Sequence, residues 1–371
     1  MNPQEICCPI EDCPARGQFG KGNIKIHDQK KKRYRCQVCG HAFSQTRGTP
    51  FYRLHHRREL FITVIKLLSK GCPRQAIVFA YDLDERTVAD WEARAGTQCE
   101  KLQQQLVERG RELGEVQADE LRVKCRRRRV VWMAFAMQVA TRLWLAGEVA
   151  LERNQDLIRR LLERVKTCAL CRPMLFCVDG FASYVSMIRE VFREPDRDGS
   201  AGRPHLIHWP GIYIVQIVKQ YVAGRVVSVE RRIVQGTAEQ ANAVRHKVSG
   251  GGVFNTAFIE RINATFRGHV AALTRRGRAL ALRSQTLHQA MYLSGAVYNF
   301  CTEQASLRLP GLIGGHKYLG RTPAMAAGIA DHCWSIEELL SYRVPLPGWQ
   351  PPNKRGRPSR EMLALIAKWA L

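Results

Sequence analysis

The chain has 371 residues, of which 45% are hydrophobic and 25% charged, a composition that excludes an intrinsically disordered protein. Lysine and arginine number 58 against 33 aspartates and glutamates, so the formal net charge of +25 predicts a polyanionic partner, most simply nucleic acid. A run of about 18 apolar residues, as a membrane span requires, is missing, and so is an N-terminal apolar signal core. We therefore expect a cytoplasmic, nucleoid-associated protein whose 13 cysteines are thiols or metal ligands.

Two cysteine pairs near the N-terminus have the spacing of a zinc site. The first pair is separated by four residues and the second by two: Cys8, Cys13, Cys36 and Cys39. A small polar segment has little core of its own, so a bound metal would supply folding free energy. We predict a zinc ribbon over residues 1–58 with one structural Zn²⁺. Cys7 is an alternative to Cys8, His41 is an alternative to Cys39, and free thiols are the alternative to a metal site.

The segment after the ribbon has apolar residues at helical spacing in three short blocks. Breaks at Gly71–Pro73 and Asp82–Asp84 separate the blocks, which is typical of a trihelical, helix-turn-helix-like unit. With Asp84 as its N-cap, the third helix is expected to bury Val88 and Trp91. It would present polar side chains to a DNA groove: Arg86, Thr87, Asp90 and Arg94. A plain helical hairpin is the alternative.

A polar helix is predicted over residues 97–113, with the sequence TQCEKLQQQLVERGREL. Because it has few apolar residues, we expect it to be a linker at the end of a DNA-reading segment, residues 59–113. The same helix offers a surface for pairing with a second copy, and we expect a homo-oligomer on DNA.

After Gly114 the sequence becomes typical of strands. The stretches EVQADELRV, RRVVWMAFAMQVA and RLWLAGEVAL are followed by the helical NQDLIRRLLERVK and the buried strand MLFCV. This order predicts an α/β domain with a mixed sheet covered by helices. Farther along, IYIVQIVKQYVAGRVVSVERRIV predicts an inserted β-hairpin near 205–236 that turns at Ala223 and Gly224.

Two aspartates lie on predicted strands. Asp119 falls in the middle of the first strand, where aspartate is disfavoured, and this indicates a functional role; Glu115 and Glu120 are nearby alternatives. Asp179 ends the buried strand, at the end where open α/β sheets place their ligands. An Asp-Gly pair there is equally typical of a turn.

A third acid, Glu260, lies on the predicted helix FNTAFIERINATFRGHV. On a helical wheel it falls with Asn263 and Arg267, away from the apolar side chains. Alone, it is typical of a solvated partner of a neighbouring arginine. With Asp119 and Asp179 it would complete a set of hard oxygen ligands for Mg²⁺ or Mn²⁺. Such a set can hold two metals about 3.5–4 Å apart and serve an in-line phosphoryl displacement.

These motifs carry a family resemblance. FCVDGFASYV followed by FIERINATFRGHVAALTRRGRAL resembles the second acidic motif and the succeeding helix of insertion-sequence-one transposases, which are DDE enzymes on a ribonuclease-H-like fold. In that family a zinc ribbon and a helix-turn-helix precede a strand that begins with an Asp-Glu pair, and QADEL resembles that strand. The resemblance covers the chain in order from about Cys8 to about Asn299. The pattern RYRCQVCGHAFSQTRGTPFY is also similar to that of a related transposase group.

The resemblance implies a fold, an activity and a site. It implies that a catalytic domain over residues 114–305, a ribonuclease-H-like mixed sheet flanked by helices, follows the ribbon and the trihelical unit. It implies that Asp119, Asp179 and Glu260 are catalytic and bind Mg²⁺ or Mn²⁺. The chain departs from the family pattern in one respect. The spacing between the second and third acids, which contains the predicted hairpin, is longer than we expect for this family.

Basic segments are predicted in two further places. Residues 306–371 are expected to form a C-terminal tail, in which GRTPAMAAGIADHCWSIEELL resembles the tail of many DDE transposases and integrase-like proteins. Arg355-Gly356-Arg357-Pro358 resembles the core of an AT-hook, which lies in a narrow minor groove; a flexible linker before the short helix REMLALIAKWAL is the alternative. The run of basic residues at 124–129 is either a solvated turn or a phosphate contact.

Together these features predict a DDE-type DNA transposase that binds transposon terminal repeats and target DNA and catalyses metal-dependent strand cleavage and strand transfer. The predicted DNA contacts are Arg86, Thr87, Arg94, Arg267, Arg355 and Arg357. One alternative is a non-catalytic regulator built on the ribbon and the helix-turn-helix, which would need none of the three acids. Another is a ribonuclease-H-like nuclease acting on RNA–DNA hybrids, which would have less use for a DNA reader.

Overall fold

The computed structural model describes residues 2–125, 129–196, 204–249, 251–274, 283–311, 317–352 and 356–369. The chain divides into two compact units. The smaller unit joins both ends of the chain, Met1–Leu60 and Leu340–Leu371, and the larger unit is Phe61–Leu339. The predicted C-terminal tail, residues 306–371, is therefore shared between the two units, and most of the trihelical segment belongs to the same unit as the sheet.

Three helices follow the strand-rich N-terminus, and the rest of the larger unit contains both strands and helices. The α-helices are α1 (Arg58–Leu68), α2 (Arg74–Tyr81), α3 (Glu85–Leu106), α4 (Gln155–Cys168), α5 (Ala182–Val191), α6 (Ala238–Ser249), α7 (Ala257–His269), α8 (Ser284–Cys301), α9 (Pro323–Ala326), α10 (Ile336–Ser341) and α11 (Arg360–Trp369). The strands are β1 (Ile24–Asp28), β2 (Arg33–Cys36), β3 (Ala42–Ser44), β4 (Glu115–Lys124), β5 (Val130–Gln138), β6 (Trp144–Ala150), β7 (Met174–Asp179), β8 (Arg193–Pro195), β9 (Leu206–His208), β10 (Ile212–Val222), β11 (Arg225–Gln235), β12 (Leu309–Pro310) and β13 (Tyr318–Leu319).

The smaller unit is a three-stranded antiparallel sheet, β1–β2–β3, whose core includes residues from the C-terminus. Trp349 and Trp369 are buried in the same cluster as Tyr34, Phe43 and three of the N-terminal cysteines. The predicted short C-terminal helix is present as α11, and the Nε2 of Gln18 donates a hydrogen bond to the Trp369 carbonyl 2.5 Å away. The chain from residue 340 onward is thus part of the folded N-terminal unit.

The three predicted helices after the ribbon are confirmed as α1, α2 and α3, with breaks where the sequence placed them. Asp84 caps α3, because its Oδ1 accepts a hydrogen bond from the Arg86 backbone N–H at 2.8 Å. Val88 and Trp91 are buried as predicted, and the Trp91 ring lies 5.2 Å from that of Phe61 on α1.

The polar helix predicted over residues 97–113 is present as far as Leu106, where it is the continuation of α3. The third helix runs without interruption to Leu106, and its second half packs along α8 inside the larger unit. Gly96 permits this close approach, since a Cβ there would lie 2.5 Å from the Gln289 carbonyl oxygen of α8. The Nε2 of the buried Gln103 donates to the Leu145 carbonyl of β6 at 2.8 Å. The second half of α3 has the polar sequence of a solvated helix although it is packed, because some of its polar side chains have partners elsewhere in the fold.

The larger unit contains a six-stranded mixed sheet with the order β11–β10–β7–β4–β5–β6. Strands β4, β7 and β10 are parallel, whereas β5, β6 and β11 run antiparallel to their neighbours. Helices cover the sheet, which confirms the predicted α/β class with a mixed, helix-flanked sheet. The predicted hairpin is present as β10 and β11, and its two-residue turn at Ala223 and Gly224 has φ values of 47° and 77°.

The register of the central strands determines where the acidic residues lie. Gln117 pairs with Cys177 and Ala118 with Val178 in the parallel β4–β7 ladder, so Asp119 and Asp179 follow side by side at the carboxyl end of β7. Among the described helices, none combines the length and the apolar composition needed to span a bilayer.

Candidate metal centres

The N-terminal cysteines form a four-sulfur cluster. The Sγ atoms of Cys8, Cys13, Cys36 and Cys39 all lie within 4.8 Å of one another. The Cys8–Cys39 and Cys13–Cys36 sulfur distances are 3.7 and 3.8 Å. A tetrahedral Zn²⁺ with Zn–S bonds of about 2.3 Å requires sulfur separations of about 3.8 Å, so the cluster fits zinc. The predicted four cysteines are the ones that converge, and neither Cys7 nor His41 is part of the group.

The protonation of these thiols opposes metal binding at low pH. Burial raises the pKa of Cys13 to about 12 and raises that of Cys8 as well. The pKa of Cys36 is lowered: burial would raise it, but hydrogen bonds from the backbone N–H groups of Cys39 and Val38 outweigh that effect. Metal binding must displace thiol protons, so zinc affinity is expected to fall as the pH falls.

A second cluster consists of carboxylates at the centre of the large sheet. Oxygens of Asp119, Glu120 and Asp179 lie within 4.8 Å of one another, and this set is called the acidic group below. Asp119 and Asp179 meet because their strands are adjacent and parallel. Three carboxylates at this spacing are a donor set suited to a hard divalent cation such as Mg²⁺ or Mn²⁺.

Asp119 is held in place by two donors from different elements. Its Oδ1 accepts the Glu120 backbone N–H at 2.8 Å, and its Oδ2 accepts the Nδ2 of the buried Asn263, on α7, at 2.7 Å. Burial, the largest cause, and the negative charges of Glu120, Asp179 and Glu260 together raise the pKa of Asp119 to about 7. Packing of like charges with limited solvent is the electrostatic condition that a bound cation relieves.

Glu120 and Asp179 share a guanidinium. The Glu120 side chain is 0% exposed, and its Oε1 accepts from the Nε of Arg153 while its Oε2 accepts from the Tyr184 hydroxyl at 2.8 Å. The second oxygen of Asp179, Oδ2, accepts from the Nη2 of Arg153 at 3.1 Å, and its Oδ1 accepts from the Phe181 backbone N–H at 2.9 Å. Burial raises the pKa of Glu120, and the charge of Asp179 adds to that increase.

The structure brings together two of the three predicted acids. Glu260 is outside the acidic group: its side chain is 46% exposed, and its Oε1 accepts hydrogen bonds from the Nζ of Lys219 and, at 2.6 Å, from the Thr256 hydroxyl. It nevertheless lies one helical turn before Asn263 on α7, and its charge contributes to the raised pKa of Asp119. Glu120, considered earlier only as a neighbour of Asp119, takes the third position in the group.

A buried glutamine connects the strand that carries Asp119 to the helix that carries Glu260 and Asn263. The side-chain oxygen of Gln117, on β4, accepts the backbone N–H groups of Phe258 and Ile259 at 3.1 Å each, in the first turn of α7. Its Nε2 donates to the Asn255 carbonyl at 2.8 Å. Gln117 thereby satisfies helix donors that have no partner within the helix. The sequence offered one signal for this role, a polar residue two positions before Asp119 and therefore on the same face of the strand.

The predicted DNA contacts are distributed along the chain. On α3, Arg86 is exposed, Thr87 is half-buried, and Arg94 pairs with Asp90 at 2.7 Å. Arg267 is half-buried on α7, and Arg357 is exposed in the smaller unit. Arg355 and residues 126–128 of the basic run lie outside the described residues.

No family model matches the chain, and no curated protein matches it either. The two centres differ in kind, because four thiolates prefer a soft, tetrahedral ion and carboxylates prefer a hard one. The sulfur centre belongs to the smaller unit and the acidic group to the larger one.

Proposed function

We propose that this protein is a DDE-type DNA transposase, which binds the ends of a mobile element and catalyses metal-dependent cleavage and transfer of DNA strands. The observation that carries the proposal is the meeting of Asp119 and Asp179 on adjacent parallel strands within a chain of formal net charge +25. An acidic centre in a basic protein suits a substrate that is itself a polyanion, because the metal site and the binding surface need opposite charges.

A ribonuclease-H-like catalytic domain is part of this proposal. Its support is a mixed sheet in which parallel strands β4, β7 and β10 adjoin antiparallel β5 and β6, with the acids at the central pair of strands. Helices α5 and α7 supply Tyr184 and Asn263 to the acidic group.

The residues present fit a divalent cation. Asp119 and Asp179 would hold Mg²⁺ or Mn²⁺, with a third oxygen from Glu120 or Glu260. When bound, the metal supplies Lewis acidity at the phosphate and activation of the attacking oxygen. The protein's own contribution is orientation: Asn263 holds Asp119, the Phe181 N–H holds Asp179, and Gln117 fixes the helix that carries Glu260.

The proposed reaction is a pair of in-line displacements at phosphorus. In cleavage, a water oxygen forms a bond to phosphorus, the bond from phosphorus to the 3′ oxygen breaks, and the 3′ end leaves as a hydroxyl while the new 5′ phosphate keeps the water oxygen. In transfer, that 3′ oxygen attacks a target phosphodiester, and the target's own 3′ oxygen leaves. Neither step needs an oxidant or a nucleotide cofactor.

DNA recognition in this proposal comes from the N-terminal half. The zinc-fitting ribbon and the polar face of α3, with the exposed Arg86 and the half-buried Thr87, would contact the element ends, and a homo-oligomer would hold two ends together. Binding is expected to be steeply salt-dependent, with about 10³–10⁵ in affinity lost between 50 and 200 mM salt for roughly 6–10 phosphate contacts.

The test uses the purified full chain and duplexes taken from the DNA on either side of its gene, together with a target plasmid. We expect Mg²⁺-dependent nicks that leave 3′ hydroxyls, followed by joining of those ends to the plasmid. Tight, sequence-selective binding with no cleavage in Mg²⁺ or Mn²⁺ would instead identify a regulator. Cleavage confined to RNA–DNA hybrids would identify a nuclease.

A further inference from the structure

Arg153 lies at the edge of the acidic group, in the short connection between β6 and α4. We propose that its guanidinium binds the phosphate of the DNA strand that is cut, which would make Arg153 a catalytic residue of this site. The inference rests on the proposed function, because it assumes that the acidic group acts on a phosphodiester.

The guanidinium is fixed in position by contacts on three sides. Its Nε donates to Glu120, its Nη2 donates to Asp179 at 3.1 Å, and its carbon lies 4.1 Å from the centre of the Phe181 ring. Glu120 is itself buried and held by Tyr184. An arginine secured in this way has already lost much of its side-chain freedom, so a ligand would bind it at lower entropic cost.

The same guanidinium keeps donors available. Its side chain is 34% exposed, and of its five N–H groups two donate to the carboxylates named above. Within the described part of the chain, the other three have no hydrogen-bond acceptor. A planar fork of N–H donors matches the geometry of a phosphate and binds it more specifically than a lysine ammonium.

Lys219 and Arg153 pair with different carboxylates. Lys219 donates to Glu260, which is outside the acidic group, whereas Arg153 contacts two members of the group. A phosphate that shared a metal with Asp119 and Asp179 would place its negative charge close to the three carboxylates of the acidic group, which would repel it. Arg153, which contacts Asp179, can neutralise that charge and hydrogen-bond the phosphate oxygens at once.

The experiment compares Arg153→Gln with Arg159→Gln, a matched control on α4 whose side chain is 37% exposed and pairs with Glu190 at 3.2 Å. Each protein is given two duplexes of the DNA adjoining the gene, one natural and one with a neutral methylphosphonate at the cut position. We expect Arg153→Gln to slow cleavage of the natural duplex by about 10²–10³-fold and that of the methylphosphonate duplex by about tenfold or less. Arg153→Lys should recover part of the rate, and the control should cut both duplexes like the parent protein.

Equilibrium binding of both duplexes without divalent metal provides a readout that does not depend on cleavage. The parent protein should bind the natural duplex more tightly than the methylphosphonate duplex, and Arg153→Gln should bind the two alike, with thermal melting to check its fold. Equal slowing of both duplexes together with unchanged discrimination in binding would overturn the inference and leave Arg153 as a support for the carboxylates. If the parent protein cuts neither duplex, the proposed function fails, and the binding comparison alone decides whether Arg153 contacts this phosphate.

Discussion

At the scale of single residues, buried titratable groups in the larger unit differ in whether a partner of opposite charge lies beside them. Asp119 lies close to other carboxylates and accepts a hydrogen bond from Asn263, whereas Glu92 is buried against Arg74, whose Nη2 lies 2.5 Å from its Oε2. His269, at the end of α7, is a third case. Its Nδ1 is buried without a hydrogen-bond partner among the described residues, and burial together with the charge of Lys70 lowers its pKa to about 4. The folded protein therefore holds this imidazole neutral.

His269 should make the protein less stable in mild acid. The pKa of His269 in the folded protein, about 4, is below the usual 6.5, so the unfolded chain takes up this proton first. The free energy of unfolding is therefore unaffected by His269 above pH 6.5 and decreases as the pH falls from 6.5 toward 4. Between pH 7 and pH 4.5, the free energy of unfolding should therefore fall by about 1–2 kcal/mol less in His269→Gln than in the parent protein. The measurement is urea unfolding at both values, with the exposed His55→Gln as control. A pH dependence identical in the parent protein and His269→Gln would show that His269 can be protonated in the folded state.

At the scale of elements, the relation between β4 and α7 determines the shape of the site. Gln117 on the strand caps the helix, and Asn263 on the helix holds Asp119 on the strand. Phe266, farther along α7, packs against Phe135 of β5 with ring centres 4.6 Å apart. These contacts are spaced along one side of the helix, so its position relative to the sheet is fixed at both ends and in the middle.

Replacing Gln117 should loosen this connection. Gln117→Leu keeps the size of the side chain but leaves the Phe258 and Ile259 N–H groups without an acceptor, and we expect a loss of about 2 kcal/mol in unfolding free energy. The cleavage rate should fall by more than the decrease in folded protein accounts for, because Asn263 would no longer be aligned with Asp119. Urea unfolding and cleavage rates of Gln117→Leu and the exposed Gln104→Leu test this. Similar values for the two variants would mean that α7 is positioned by its apolar face alone.

The elements also show which features the sequence could predict. Periodicity located the strands around Asp119 and Asp179 and the hairpin turn at Ala223 and Gly224, because local alternation and turn chemistry depend on neighbouring residues only. The burial of α3 beyond Gly96 was missed, since it depends on close approach to α8 and on backbone partners in β6. Glu120 was named only as a nearby alternative, because its place in the group depends on two distant residues, Tyr184 and Arg153, that bind its carboxylate.

At the scale of the whole molecule, the zinc-fitting unit depends on both ends of the chain. Trp349 and Trp369 lie in the core that surrounds the cysteines, and Arg343 donates to the Gln45 carbonyl at 2.6 Å. A ribbon of this size has little core of its own, so these distant residues supply apolar surface that the N-terminal sequence lacks. This dependence on the C-terminus was not predictable from spacing, which reports only on nearby cysteines.

Loss of the C-terminal packing should therefore weaken metal retention. Trp369→Ala removes a side chain that is 5% exposed, and a buried Trp→Ala change typically costs about 3–5 kcal/mol. We expect this variant to lose zinc to a chelator faster than the parent protein, whereas the exposed Glu361→Ala on the same helix should not. Release can be followed with a colorimetric zinc indicator. Equal release from all three proteins would show that the cysteines and the N-terminal sheet hold the metal unaided.

A catalytic role for the acidic group requires that strand cleavage be lost when single carboxylates are neutralised. Asp119→Asn and Asp179→Asn keep the shape of the side chains, and Asp156→Asn, an exposed position on α4, is the matched control. We expect Mg²⁺-dependent cleavage of duplexes from the ends of the element to fall more than about 10³-fold, or about 4 kcal/mol in barrier, in the first two variants. The control should cut normally, and all three should bind DNA like the parent protein. Cleavage by Asp119→Asn and Asp179→Asn at the rate of the control would contradict a catalytic role for the acidic group.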